Sequence, residues 1–326
     1  MSIIFRGVLV YFLLSLATMA LLYGNLERAV YEAVVTGTDN VTILTEIGFW
    51  IAPLLVFSLV IVGWRILRSR LAAMIVVVVS TVFLHMGFAF FKNAIPELIP
   101  YHADPVLAAA DRWLHAGVDP WRIFHDWLPP EWGRRLVVVY LMIWMIPALT
   151  FPVLLMVFDR NHDRVSRYVW LYFCSWIVLG NVWALAGSSV GPVYYDRLLG
   201  GDRFQDLMAA LQASGITQSP IGLIQEALWR RFEGGMIELG LGISAFPSMH
   251  VAIAALTALY LTERSRWLAP VGVVFLGVIF FMSVYTGYHY ALDGYFSIAA
   301  VLLGNRLLVR HQNRASQARM MQSIAA

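Results

Sequence analysis

Apolar residues in this chain fall into long, nearly unbroken blocks, with polar residues confined to the gaps between them. A membrane-crossing helix needs ~20 mostly apolar residues. Eight segments approach that length, at about 5–24, 43–64, 71–91, 135–158, 168–188, 247–262, 267–285 and 289–309. The sixth and seventh are the shortest or contain glycine, so their ends are the least sharply drawn. The pattern predicts an all-α, polytopic transmembrane bundle of about eight spanning helices. No Ser/Gly-rich linker divides the chain and no repeat of fixed period runs through it.

Arginines punctuate the gaps on one side of this scheme. Arg65, Arg68 and Arg70 fall between the second and third segments, and Arg160, Arg164 and Arg167 between the fourth and fifth. Arg264 and Arg266 separate the sixth and seventh; Arg306, Arg310, Arg314 and Arg319 follow the eighth. An eight-helix count puts all four groups and Arg6 on one face. The positive-inside rule then makes both termini cytoplasmic. Two long loops, 92–134 and 189–246, face the other way.

Those loops carry helical signals of their own. Asp104-Pro105 and Asp119-Pro120 each read as an N-cap followed by proline at the first helical position. Phe204, Leu207, Met208 and Leu211 recur at helical spacing, as do Ile221, Ile224, Leu228 and Phe232. Amphipathic pieces of this kind are expected on the membrane surface, either covering the bundle or guiding substrate.

Composition agrees with lipid as the solvent. Hydrophobic residues make up 60% of the chain and charged residues 13%, about half the charged share of a soluble domain. The mean hydropathy is +0.71. The net charge of +3 is carried almost wholly by arginine, with Lys92 the only lysine. There is no basic block of the kind nucleic-acid binding needs. A lone cysteine, Cys174, rules out an internal disulfide and a cysteine metal cluster.

Two stretches carry candidate chemistry. Gly242-Ile-Ser-Ala-Phe-Pro-Ser-Met-His250 opens the sixth segment, and Tyr285-Thr-Gly-Tyr-His-Tyr-Ala-Leu-Asp293 opens the eighth. The hairpin between them delivers His250 and His289 to one membrane face. His289 and Asp293 are four apart and share a helical face. The carboxylate accepts from one ring nitrogen, fixes the tautomer and frees the other nitrogen for attack. Two histidines and an aspartate suit phosphoryl transfer through a covalent phosphohistidine. The second histidine serves as proton donor to the leaving oxygen. Backbone N–H groups around Ser248 and the Ser244 and Ser248 hydroxyls are candidate phosphate donors, with Pro247 expected in the first helical turn. His85 reads instead as a buried polar contact, Asn181 as an interhelical hydrogen bond, and His102, His115, His125 and His162 as solvated loop residues.

Pro-Ser-Met-His250 and His289-Tyr-Ala-Leu-Asp293 resemble the second and third signature motifs of the type 2 phosphatidic acid phosphatase superfamily. Ala245–Ala252 and Tyr288–Tyr295 are similar to its inositol phosphorylceramide synthase-like branch. So are Ser188-Ser-Val-Gly-Pro-Val-Tyr-Tyr-Asp-Arg197 and the region from Asp104 through Asp111-Arg-Trp-Leu-His to Asp119-Pro-Trp. The resemblance covers about residues 100 to 309. It implies His289 as nucleophile, Asp293 as its orienting partner and His250 as general acid, with no metal and no cofactor. It sets a catalytic core (101–310) apart from N-terminal helices (1–100), and the polar residues after it are expected to form a disordered cytoplasmic tail (311–326).

The superfamily's usual first motif, a lysine followed at a distance by Arg-Pro, is not visible. Arg197 is the candidate substitute cation, against a reading in which it pairs with Asp196 or caps a loop. Tyr195, with Tyr194, is expected to line the site or anchor at the interface.

The expected activity is an integral membrane lipid phosphotransferase that moves a phospho-head group from a phospholipid to a lipid or alcohol acceptor, at the outer, periplasmic or lumenal face of a plasma or inner membrane. A lipid phosphate or polyprenyl pyrophosphate phosphatase shares the chemistry. A proton-relaying transporter is the alternative from another class, and predicts ionisable groups at mid-membrane depth, whereas here they gather at helix ends.

Overall fold

A computed structural model describes residues 2–24, 27, 31, 64–234 and 242–325, and among these the chain is all-α. Helix α1 (Ser2–Tyr23) runs parallel to α2 (Trp64–Leu98), with Phe5 against Phe83 and Phe12 against Phe83 and Phe90. Helices α3 (Asp104–Leu114) and α4 (Pro120–Trp127) lie across one end of the bundle. The long helices α5 (Pro130–Phe158) and α6 (His162–Ala186) follow. Three short helices then return to the same end: α7 (Pro192–Leu199), α8 (Gln205–Ala213) and α9 (Pro220–Gly234). The chain closes with α10 (Met249–Arg264), α11 (Ala269–Tyr285) and α12 (Ala291–Ala325).

Five helices among the described residues are long and apolar enough to cross a membrane, not eight: Ile3–Leu22, Arg68–Leu98, Pro130–Phe158, His162–Ala186 and Ala291–Gln322. The expected second segment, 43–64, lies outside the described residues except at its end. The expected sixth and seventh are present as α10 and α11, but shorter than the hydrocarbon core. Sixteen residues rise roughly 24 Å, against ~30 Å for a typical bilayer interior. Helix α10 is nonetheless enclosed along its first half. Val251, Ala252, Ile253, Ala254, Ala255, Leu256 and Ala258 are all buried, as expected of a helix surrounded by others. Gly272 of α11 brings the two backbones together: a β-carbon there would sit 2.8 Å from the Ala258 Cα.

The arginine groups meet at one end, as the loop pattern predicts. Arg70 donates to the carbonyls of Met156 and Asp159 at 2.8 and 2.6 Å. Arg164 grips the Asp159 carboxylate with two nitrogens at 2.5 and 2.8 Å. Arg167 pairs with Glu263 and reaches Gln312 at 3.3 Å. These contacts tie the ends of α2, α5, α6, α10 and α12 together.

At the opposite end the short helices form a packed layer rather than separate surface pieces. Leu107, Trp121, Phe204, Leu207, Leu211, Ile221 and Leu228 join Tyr285 and Tyr290 in one buried cluster. Trp113 and Trp127 stay 78% and 74% exposed at its rim, where amphipathic rings favour a membrane–water boundary. One cap expectation fails here and one holds, though without its side-chain bond. Asp104 lies inside α3, with Ala103 at the N-cap. Asp119 is the N-cap of α4 without a side-chain cap bond, because Arg203 takes both its oxygens at 2.9 and 2.5 Å. Helix α12 runs on through the segment expected as a tail, to Ala325.

Candidate active site

The site forms where the starts of α10 and α12 meet the end of α6. Ser188-Ser-Val-Gly191 is the hub. The Ser189 carbonyl accepts from Ala245 N at 2.9 Å and its hydroxyl from Phe246 N at 3.0 Å, fixing the first stretch. Val190 N and Gly191 N donate to the buried Asp104 carboxylate at 2.8 and 2.9 Å. Gly191 has φ 87°, and a β-carbon there would lie 2.4 Å from the Tyr288 carbonyl oxygen, so only glycine allows this approach.

The second stretch is held by carboxylates. Asp111, from α3, accepts from Ala291 N at 3.1 Å and Leu292 N at 2.9 Å. Asp293 accepts from Tyr290 N at 3.0 Å. Together they satisfy the N–H groups that a helix start leaves unpaired. Tyr290 donates its hydroxyl to Asp104 at 2.9 Å, tying hub to helix. Burial raises the Asp104 carboxyl above the usual carboxylate range, against the hydrogen bonds it accepts. Burial likewise pushes Asp111 up to about 6, opposed by the Ala291 and Leu292 N–H groups.

His289 sits just ahead of this capped start and is 6% exposed. Its Nδ1 lies 2.8 Å from the Ala245 carbonyl and 3.5 Å from Asp293 Oδ2. Both partners only accept, so Nδ1 carries the proton and Nε2 is the free nitrogen. The backbone carbonyl is the nearer acceptor; the carboxylate stands behind it rather than replacing it. Tyr140 and Trp144 of α5 stack on the His250 ring at 4.4 and 4.1 Å between centroids. The Trp144 indole donates to the His250 carbonyl at 3.0 Å. The His250 and His289 ring centroids are 6.1 Å apart.

Both rings line a cavity of about 280 Å³. Its walls are mostly apolar and include Phe88, Trp144, Trp176, Leu228 and Tyr288. Two π-helical turns, Val139–Ile143 in α5 and Ser175–Trp183 in α6, aim Tyr140 and Trp176 at it. Such widened turns recur at functional sites. The cavity also contains Lys92, reached from α2. The sequence reading passed over it; its one signal was being the chain's only lysine, at the end of an apolar run.

The other sequence candidates divide. Ser244 lines the cavity. Ser248 is buried and caps α10, accepting from Val251 N at 3.3 Å. Pro247 accordingly precedes the cap instead of entering the first turn. Arg197 is not in the cavity: it pairs with Glu226 at 2.9 Å and lies over the Trp229 ring. Tyr195 packs on Phe204 and is also outside, whereas its neighbour Tyr194 lines the cavity. Asp196, offered as a partner for Arg197, accepts instead from Phe204 N at 2.7 Å. His85 contacts the Tyr172 hydroxyl at 3.0 Å, and Asn181 donates to Tyr11 at 2.5 Å, both as expected. His115 and His125 are not solvated loop residues: the former contacts the Tyr295 hydroxyl and the latter stacks on Tyr285.

A family model described as PAP2 superfamily matches residues 105–307, more than half of the chain. No curated protein and no solved structure matches it.

Proposed function

We propose, for a chain that belongs to the PAP2 superfamily, a lipid phosphotransferase that works through a phosphohistidine on His289. The coarser statement follows from membership: this is an integral membrane enzyme of the lipid phosphatase or phosphotransferase type, and the family's chemistry is typically metal-independent. That displaces the transporter alternative.

In this reading His289 Nε2 attacks phosphorus, and the bond from phosphorus to the lipid oxygen breaks. Protonated His250 gives its proton to that leaving oxygen. An acceptor alcohol then enters, loses its proton to the now neutral His250 and attacks phosphorus. The N–P bond breaks, the phospho-head group leaves on the acceptor, and His289 returns to its starting tautomer. The Ala245 carbonyl and Asp293 hold the Nδ1 proton throughout and stabilise the charge that the ring gains. Lys92 takes the part the sequence reading gave to Arg197, as the cation facing the phosphate oxygens. No carboxylate pairs with it among the described residues. Ser244 supplies a further donor.

The observation that carries this reading is the pair of imidazoles 6.1 Å apart on one cavity, one with its tautomer fixed and one with neither nitrogen bonded among the described residues. Transfer is favoured over hydrolysis by the apolar, aromatic walls, which keep water scarce around the intermediate. In this reading the arginine-bearing end lies in the cytoplasm, following the positive-inside rule, and the cavity opens at the outer face. Purified protein with head-group-labelled phospholipid, assayed with and without diacylglycerol or ceramide, tests the reading. Label moving to the added alcohol is the expected result. Release of the labelled phospho-head group into water alone, whatever the alcohol, would show hydrolysis instead of transfer.

A further inference from the structure

A second and larger cavity, about 930 Å³, opens at the arginine-bearing end between α5, α10 and α11. Helices α5 and α11 both pack on α10. Near the catalytic end α11 also meets the first turns of α5; toward the arginine end the two diverge. The gap is walled by Leu154, Phe158, Leu261, Val271 and Phe275. Its volume falls within the roughly 300–1,000 Å³ of small-ligand pockets.

One end of this apolar gap is cationic. Arg160 and Arg264 line it, and no Asp or Glu does. Nearby arginines are consumed: Arg164 by Asp159 and Arg167 by Glu263. Neither Arg160 nor Arg264 has an ion pair among the described residues, and both are exposed. Ser265 and the 77% exposed Trp267 stand at the same rim, a level where indole rings mark the membrane–water boundary. A slot of hydrocarbon character ending in two unpaired guanidinium groups complements one kind of molecule, a phosphate head group with an acyl chain attached.

We propose that this cavity binds one anionic phospholipid, with its phosphate on Arg160 and Arg264 and an acyl chain along α10 between α5 and α11. Arg264 lies fourteen residues beyond His250 on α10, roughly 21 Å along the axis. The bound lipid is therefore separate from the reacting one. It bridges α5, which carries Tyr140 and Trp144, to α10, which carries His250.

Native mass spectrometry of the full chain in detergent, titrated with dioleoyl phosphatidylglycerol or dioleoyl phosphatidylcholine, reads the site without reference to catalysis. The wild type should retain one phosphatidylglycerol at least tenfold more tightly than phosphatidylcholine. The double substitution Arg160→Gln with Arg264→Gln should abolish that preference. Leu154→Trp, which fills the slot but keeps both arginines, should weaken phosphatidylglycerol about as much. Phosphatidylglycerol should also raise the wild-type melting temperature more than phosphatidylcholine does. Equal retention of the two lipids by the wild type, or an undiminished preference in the double variant, would overturn the proposal. So would retention by Leu154→Trp matched by inorganic phosphate, since the slot would then hold no chain.

Discussion

The two histidines of the cavity are held in opposite ways. His289 is fixed through its ring nitrogen, by a carbonyl at 2.8 Å and a carboxylate at 3.5 Å. His250 is fixed through its ring faces, by Tyr140 and Trp144, and neither of its nitrogens is bonded among the described residues. Hydrogen bonding locks a tautomer, which a nucleophile needs for its attacking lone pair to point one way. Stacking locks orientation but leaves both nitrogens able to gain or lose a proton, which an acid that becomes a base needs. Under the proposed function, this difference in restraint suits two chemically identical side chains to different roles.

The assignment breaks most readily at His289. His289→Gln should eliminate turnover and any covalent intermediate, a loss of at least about 10⁴-fold in kcat/KM for a nucleophile, measured by label transfer from phospholipid. His250→Gln should cost less, roughly 10²- to 10⁴-fold, and the deficit should shrink with a substrate whose leaving group needs no proton. Equal deficits on both substrates would contradict its role as acid. Lys92→Met should lower kcat/KM by roughly 10²-fold, in the range for removing one preorganised donor to a developing charge.

Asp293→Asn sharpens the account, because the Ala245 carbonyl still holds the Nδ1 proton. The expected loss is about 10²-fold, well short of the ~10⁴ seen where a carboxylate alone fixes the tautomer. The smallest effect concerns stability. The Asp111 carboxyl is raised to about 6 in the fold against ~3.9 in an unfolded chain. Its contribution is therefore complete below the unfolded value and lost as pH rises through 6. Asp111→Asn should flatten the pH dependence of the melting temperature between about pH 4 and 6, read by scanning calorimetry in detergent.

Much of this was legible in the sequence. The two histidine stretches are contiguous, and a hairpin of helices between them must return the chain to the same face, so His250, His289 and Asp293 meet as expected. The arginine-bearing end followed from loop charges for the same reason. What escaped was whatever depends on long-range packing. Lys92 comes from a helix more than 150 residues before His250, and nothing local marks the end of an apolar run as facing a cavity. Arg197 sits beside plausible motif residues, yet α9 offers it Glu226. Asp104 reads as a helix-start residue and Asp111 only as part of a family-like stretch, but their carboxylates serve the backbone of other elements. The eight-span count rested on hydropathy, which marks α10 and α11 as apolar but does not show that each ends short of a full crossing.

The central claim is a covalent bond from His289 to phosphorus. Rapid quenching of the enzyme with head-group-labelled phospholipid in alkali, where phosphohistidine survives, followed by peptide mass spectrometry, tests it directly. The account predicts the phospho-head group on His289, absent in His289→Gln and longer-lived when no acceptor alcohol is supplied. Turnover with no adduct on any residue, or an adduct on His250 in its place, would contradict it.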